Sequence, residues 1–143
     1  MKKIILFMVL TVMMVVFIAG RKANHKTRST DDQYTLENCV NTFSPERVKT
    51  TTKGFQFWYV PKAFTGHLNL KLSHVDKKTA NHPPHDHDES EIFYILEGKA
   101  EIHLNGKTRI IGEKSSFYCP AGSSHGIRNA GDKPLEYLVI KNN

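Results

Sequence analysis

Three imidazoles and four carboxylates crowd into the stretch Asn81-His82-Pro83-Pro84-His85-Asp86-His87-Asp88-Glu89-Ser90-Glu91. His85 and His87 are two apart, so an extended chain projects both to one face. Glu91 keeps the same parity and opens the apolar run Ile92–Leu96, which lets its carboxylate reach the same point. Two neutral imidazoles and a carboxylate make a mixed nitrogen and oxygen donor set, suited to a borderline divalent cation. A fourth donor has to come from elsewhere in the chain. His125, just beyond the tight turn Pro120-Ala121-Gly122, is the natural supplier. Such a set suits Mn, Fe, Ni, Co, Zn or Cu, and it leaves two positions of an octahedral ion open to water or substrate.

The remaining histidines and acids read more plainly. His82 is a solvated loop residue or a residue at the mouth of a pocket. His67 and His103 fall on polar faces and are expected to be exposed. His74 shares the parity of the leucines before it, which makes a pocket position conceivable. Asp86, Asp88 and Glu89 fall off the ligand positions and are expected in solvent, where they can steer cations inward. Phe93 and Ile95 share the parity of Glu91 and should form an apolar wall beside the ion, strengthening its field by excluding water. Tyr118 and Arg128 can make polar contacts, but parity gives neither a place in the site.

Short strands must position these groups. Phe55–Val60 is rich in aromatic and β-branched types and ends at Pro61; His67–Ser73 alternates strictly, with its leucines on one face. Six more runs follow: Ile92–Leu96, Ala100–Leu104, Thr108–Ile111, Ser116–Cys119, His125–Asn129 and Leu135–Ile140. Gly, Asn, Asp and Pro separate them. Asn105-Gly106 is the strongest hairpin signal, because a type I′ turn needs positive φ at both central positions. About eight short strands with no long helical period argue an all-β sandwich or barrel. Residues 21–50 read as a polar linker, with a short helix near Ser44-Pro45-Glu46-Arg47-Val48 where Ser44 can cap and Pro45 fits the first turn. Residues 51–143 form the domain.

Two segments resemble a known family. His85-Asp86-His87, three residues, Glu91, six residues and Gly98 look like the first cupin motif, HxH-x(3–4)-E-x(6)-G. Pro120-Ala121-Gly122-Ser123-Ser124-His125-Gly126-Ile127-Arg128-Asn129 resembles the second, PxG-x(2)-H-x(3)-N. The resemblance implies metal ligands at His85, His87, Glu91 and His125, a turn at Pro120 and Gly122, and a closing position at Asn129. It further implies a jelly-roll-like double-stranded β-helix barrel with a metal inside, open to a pocket at one end, and a homodimer. The sequence departs from the motifs at two turn positions, where Thr79 and Lys114 stand in place of Gly.

The net charge of +6 is confined to the start of the chain. Lys2, Lys3, Arg21, Lys22, Lys26 and Arg28 carry the whole excess, and the remainder holds as many acids as bases. A nucleic-acid partner therefore has no basic patch to bind. Met1-Lys2-Lys3 and the uncharged run from Ile4 to Gly20 describe a signal peptide, or a signal-anchor helix retained in the membrane. The expectation is an exported protein, periplasmic or extracellular, or one anchored by residues 4–20. Export would permit a Cys39–Cys119 disulfide. The plainer reading of Cys119, inside Phe117-Tyr118-Cys119-Pro120, is a small buried hydrophobe.

Metal binding alone does not name a reaction. One reading is a small-molecule enzyme acting on a carbohydrate or organic acid, its Lewis-acid metal supporting isomerase- or lyase-type chemistry. The resemblance also allows a dioxygenase using O2. The other reading is a non-catalytic module that holds a metal and a sugar or acid. A transcription regulator is set aside, since residues 21–50 lack a helix-turn-helix pattern.

Overall fold

The runs between Phe55 and Ile140 that carry strand chemistry all become strands in the computed structural model of the protein, which describes residues 33–142. The apolar segment 4–20 lies outside the described residues, as does the expected signal or anchor helix. Among the described residues, no helix is long and apolar enough to cross a membrane. A single helical turn, α1 (Leu36–Cys39), belongs to a unit separate from the one beginning at Val40. In the second unit a 3-10 turn (Pro45–Arg47) precedes β1 (Lys49–Thr51), β2 (Gly54–Val60), α2 (Lys62–Thr65) and β3 (Leu68–Val75). The strands β4 (Ser90–Glu97), β5 (Ala100–Leu104), β6 (Lys107–Ile111), β7 (Ser116–Cys119), β8 (His125–Asn129) and β9 (Leu135–Asn142) complete it. Ser44 takes the extended conformation of a cap, but its hydroxyl donates to the Glu46 carboxylate and not to the backbone. An ionised acceptor two residues away outcompetes the backbone of so short a helix.

The strands make two antiparallel sheets, one ordered β1-β2-β3-β9-β4-β7 and the other β6-β5-β8. Phe93, Ile95 and Val139 of the larger sheet join Ala100, Ile102 and Ile127 of the smaller in one buried cluster. Each is fully or almost fully removed from water, and burying side chains of this size contributes roughly 1.5–3 kcal/mol apiece for the larger ones. Phe93 and Ile95 thus face inward with Glu91, as their parity predicts. Cys39 and Cys119 are both free, the first exposed and the second fully buried; Cys119 is the small core hydrophobe its neighbours suggest.

Parity alone leaves open which face of β3 looks inward. The leucines of β3 do not look into the barrel. Leu72 opposes Phe57 across the β2–β3 ladder, and the Phe57 ring packs against Phe43 at 5.2 Å beneath the Arg47 guanidinium. This outer apolar layer takes the leucine face, while Asn69 and Lys71 line an internal cavity. His74 shares the outer face. It pairs with Glu136 at 2.9 Å and stacks on Phe55 at 4.6 Å, away from the cavity. Alternation reports that a strand has two faces, but when both are covered it does not say which is inside.

Turn chemistry explains the motif positions. Asn105 and Gly106 have φ of 47° and 81°, the left-handed pair that a type I′ hairpin requires. Gly98 has φ +89°, and a Cβ there would sit 2.7 Å from the Pro134 carbonyl oxygen. Lys114, standing where the motif has Gly, keeps the left-handed backbone with φ 60°. Its N–H donates to the Ile95 carbonyl at 2.9 Å, which holds the turn despite the Cβ. At the other departure Thr79 donates its hydroxyl to the Asp76 carbonyl at 2.8 Å. The left-handed residue there is Lys78, one place earlier. Gly98→Ala should therefore cost about 2–4 kcal/mol, from left-handed strain plus backbone overlap. Lys114→Gly should gain about 0.5–1 kcal/mol, since relief of left-handed strain exceeds the added unfolded-state entropy. Urea unfolding midpoints measure both, and a Gly98→Ala protein as stable as the parent would contradict the close approach to Pro134.

Candidate metal centre

Backbone pairing brings the two motif segments together. The His85 N–H donates to the His125 carbonyl at 2.9 Å, and the His125 N–H donates to the His85 carbonyl at 2.8 Å. This antiparallel bridge is a single pair joining His125, the first residue of β8, to His85 ahead of β4. A second link runs from the Gly122 N–H to the His87 carbonyl at 2.8 Å, tying the turn of the second motif to the segment of the first. Gly126 lets the loop approach: a Cβ there would stand 3.2 Å from the Pro84 Cα. Asn129 closes the arrangement from below. Its side chain, fully buried, donates to the carbonyls of Val75, Asp76 and Lys133 and accepts from the Gly131 N–H.

Four residues were expected to converge, and three imidazoles do so closely. Ligand-capable nitrogens of His85, His87 and His125 all lie within 4.8 Å of one another. Glu91, 9% exposed on β4, reaches two of the three. Its Oε1 is 3.4 Å from His87 Nε2, and its Oε2 is 3.5 Å from His125 Nε2. His125 Nδ1 lies 2.8 Å from the Ser123 carbonyl and must carry the hydrogen there. In the neutral ring Nε2 then presents a lone pair toward a carboxylate oxygen, two acceptors facing each other. His85 Nδ1, both nitrogens of His87 and His125 Nε2 are buried without a hydrogen-bond partner. Unpaired lone pairs are costly in a protein interior, and a cation among them would satisfy one on each ring, the second His87 nitrogen carrying that ring's hydrogen. The donor set therefore fits a metal ion.

Burial holds the His85 imidazole below its ordinary pKa, and the neighbouring His82, His125 and His87 push it the same way against a smaller opposing pull from Glu91. The neutral form, which is the metal-binding form, is favoured. Behind the site, burial and the Glu91 charge push the Cys119 thiol up to about 12. A thiol so raised does not offer a thiolate donor.

The cavity holds residues that parity did not reveal. Its volume is about 260 Å³, and Gln56, Trp58, Asn69, Lys71, Tyr137 and Lys141 line it beside His85, Glu91 and His125. Lys141 Nζ lies 3.5 Å from Glu91 Oε1 and 3.4 Å from Glu89 Oε2. Glu89 in turn stands 3.4 Å from His87 Nδ1. Glu89 is therefore half-buried beside the site, where the sequence suggested free solvation; the pull of Lys141 draws it inward. His82 remains exposed but lines the cavity, its ring edge-on to His85 at 4.5 Å. His103 is half-buried, its Nε2 accepting from the Gly106 N–H. Tyr118 is exposed and Arg128 pairs with Glu101 on the outer face, so neither enters the site. Asp86 and Asp88 are exposed, as expected.

Lys141 was legible in one way. It shares the parity of Tyr137 and Val139 on β9, both of which are buried and inward. Lys71 was hidden by the leucines on either side of it.

Comparison with known proteins agrees with this architecture. A family model described as Cupin domain matches residues 71–141. An oxalate-binding protein of Thermotoga maritima is 40% identical over 93 residues, covering 52% of this chain and 77% of that protein. A mannose-1-phosphate guanylyltransferase of Salmonella typhimurium is 31% identical over 55 residues, 38% of this chain but only 12% of the enzyme's length. A crystal structure of a predicted oxalate decarboxylase from Thermotoga maritima superposes with a TM-score of 0.62 at 21% identity, covering 71% of this chain and 98% of that one. With both motifs on one barrel, a matching family model and a relative this similar, the chain belongs to the cupin superfamily.

Proposed function

We propose that this chain binds one divalent metal ion through His85, His87, Glu91 and His125 and uses it on a small oxygen-rich molecule, an organic acid or a carbohydrate. The observation carrying the reading is the contact of His125 Nε2 with Glu91 Oε2 at 3.5 Å while Nδ1 is committed to Ser123. When bound, the ion supplies Lewis acidity, polarising a carbonyl or hydroxyl, which suits isomerase- or lyase-type chemistry. The chain's own residues do the rest. Glu89 stands beside His87 Nδ1, placed to accept its hydrogen, Lys141 pairs with Glu91, and the Ser123 carbonyl selects the His125 tautomer. Phe93, which lines the cavity, excludes water from one side of the donors. Export or anchoring by residues 1–20 belongs to the same proposal, supported by the sequence pattern alone; a homodimer is supported by family resemblance alone.

A second reading is a non-catalytic binding module. The description of the 40% identical Thermotoga maritima relative as an oxalate-binding protein favours it.

Purified full-length chain should hold about one metal ion, and a His85→Ala/His87→Ala variant should retain less than a tenth of it, measured by plasma mass spectrometry. Occupancy should fall as pH drops below the ordinary histidine range near 6.5, because protons compete for the imidazole lone pairs, and should return on neutralisation. Equal metal content in the two proteins would defeat the proposal. Turnover of any acid or sugar by the loaded wild type would decide for the enzyme; loaded protein that binds such compounds unchanged would decide for the module.

A further inference from the structure

The cavity carries a positive charge that the metal site does not use. Lys71 projects from β3 into the same space as the histidines. Among the described residues its ammonium makes no ion pair or hydrogen bond; its contact is with the Trp58 ring, Nζ lying 5.8 Å from the centroid. The other cavity ammonium, Lys141, is already balanced by Glu89 and Glu91 at 3.4 and 3.5 Å. With those two carboxylates engaged by Lys141, Lys71 has no carboxylate within ion-pair distance among the described residues. Burial disfavours its charged form, Glu91 partly restores it, and the neighbouring Lys141 and Lys49 disfavour it again. A half-buried cation in that position is stabilised by whatever anion enters.

The cavity is small. At about 260 Å³ it falls below the roughly 300–1,000 Å³ of sites for drug-sized ligands. A neutral sugar would leave the Lys71 ammonium without an ionic partner. A carboxylate satisfies it, and the polar side chains of Gln56 and Asn69 at the same wall can donate to further oxygens.

We propose that Lys71 is the specificity-determining residue of the cavity and that the ligand is a small carboxylate, its acid group paired with the Lys71 ammonium beside Trp58. This rests on the reading of the cavity as the ligand site of the metal centre, and it narrows the ligand from acids and carbohydrates to acids.

Trp58 is the single tryptophan of the chain, so its emission reports arrival of a ligand at Lys71. The experiment titrates metal-loaded full-length protein with lactate, malonate and galacturonate, and with the neutral counterparts lactamide, malonamide and galactose. Metal content is assayed after each titration. At least one carboxylate should perturb Trp58 emission saturably, at least tenfold more tightly than its neutral counterpart. Lys71→Gln should abolish that tenfold preference while leaving metal content and thermal midpoint unchanged, and Lys71→Arg should restore it. If each carboxylate binds no better than its neutral counterpart, or none binds, or Lys71→Gln keeps the preference, the proposal is overturned. Failure of the metal reading would look different: wild-type protein would hold no ion, while the carboxylate preference at Trp58 would still be measurable.

Discussion

His85 and His125 exchange a pair of backbone hydrogen bonds at 2.9 and 2.8 Å, and the rest of the centre hangs from that exchange. Forty residues of chain separate the two positions, so the ligands can meet only if the strands that carry them are locked in register. The bridge supplies the register, and the Gly122-to-His87 bond repeats it one turn further along. Gly126 provides the space that brings Pro84 and hence His85 against β8. Asn129 then pins the far end of β8 to the chain after β3 and to the turn before β9 through four hydrogen bonds made by one buried side chain. The imidazoles are placed by backbone, and a side chain placed by backbone loses little further entropy when it binds.

A second constraint is electrostatic. The barrel gathers lone pairs of three imidazoles and a nearly buried carboxylate into one small volume. Without a cation, His125 Nε2 faces the Glu91 carboxylate as acceptor against acceptor, a demand for positive charge. Lys141 answers part of this demand from β9, and the register Glu91↔Lys141 fixes it there. The same strand parity that brings Lys141 inward also brings Tyr137 and Val139, so one strand supplies both charged and apolar parts of the wall. Burial pushes the Tyr137 hydroxyl up to about 12, against the pull of Ser73 and Asn81 beside it. Its phenol is held as a neutral group in the floor of the cavity.

Much of this was legible in the chain. The His85, His87 and Glu91 parity, the His125 turn and the Asn105-Gly106 hairpin rest on periods of two and on turn stereochemistry, both local properties. The strands from β4 to β8 follow for the same reason, and so do the inward Phe93 and Ile95. What escaped was set by distant packing. Leu72 of β3 faces outward beside Phe57, against which Phe43 packs, a pairing that no local pattern announces. That facing concealed Lys71 and placed His74 against Glu136 in place of the cavity. Glu89 seemed free because Lys141, its partner, lies far along the chain. Lys114 shows the converse: the missing glycine altered the residue without altering the backbone, since φ stays at 60°.

The central claim is that three imidazoles and one carboxylate hold a single ion. X-ray absorption at the metal edge of the loaded full-length protein measures that donor set directly. The account predicts a shell of nitrogen and oxygen at roughly 2.0–2.2 Å, with the multiple-scattering signature of three imidazoles and no sulfur. A sulfur shell near 2.3 Å, or scattering from fewer than three imidazoles, would contradict it.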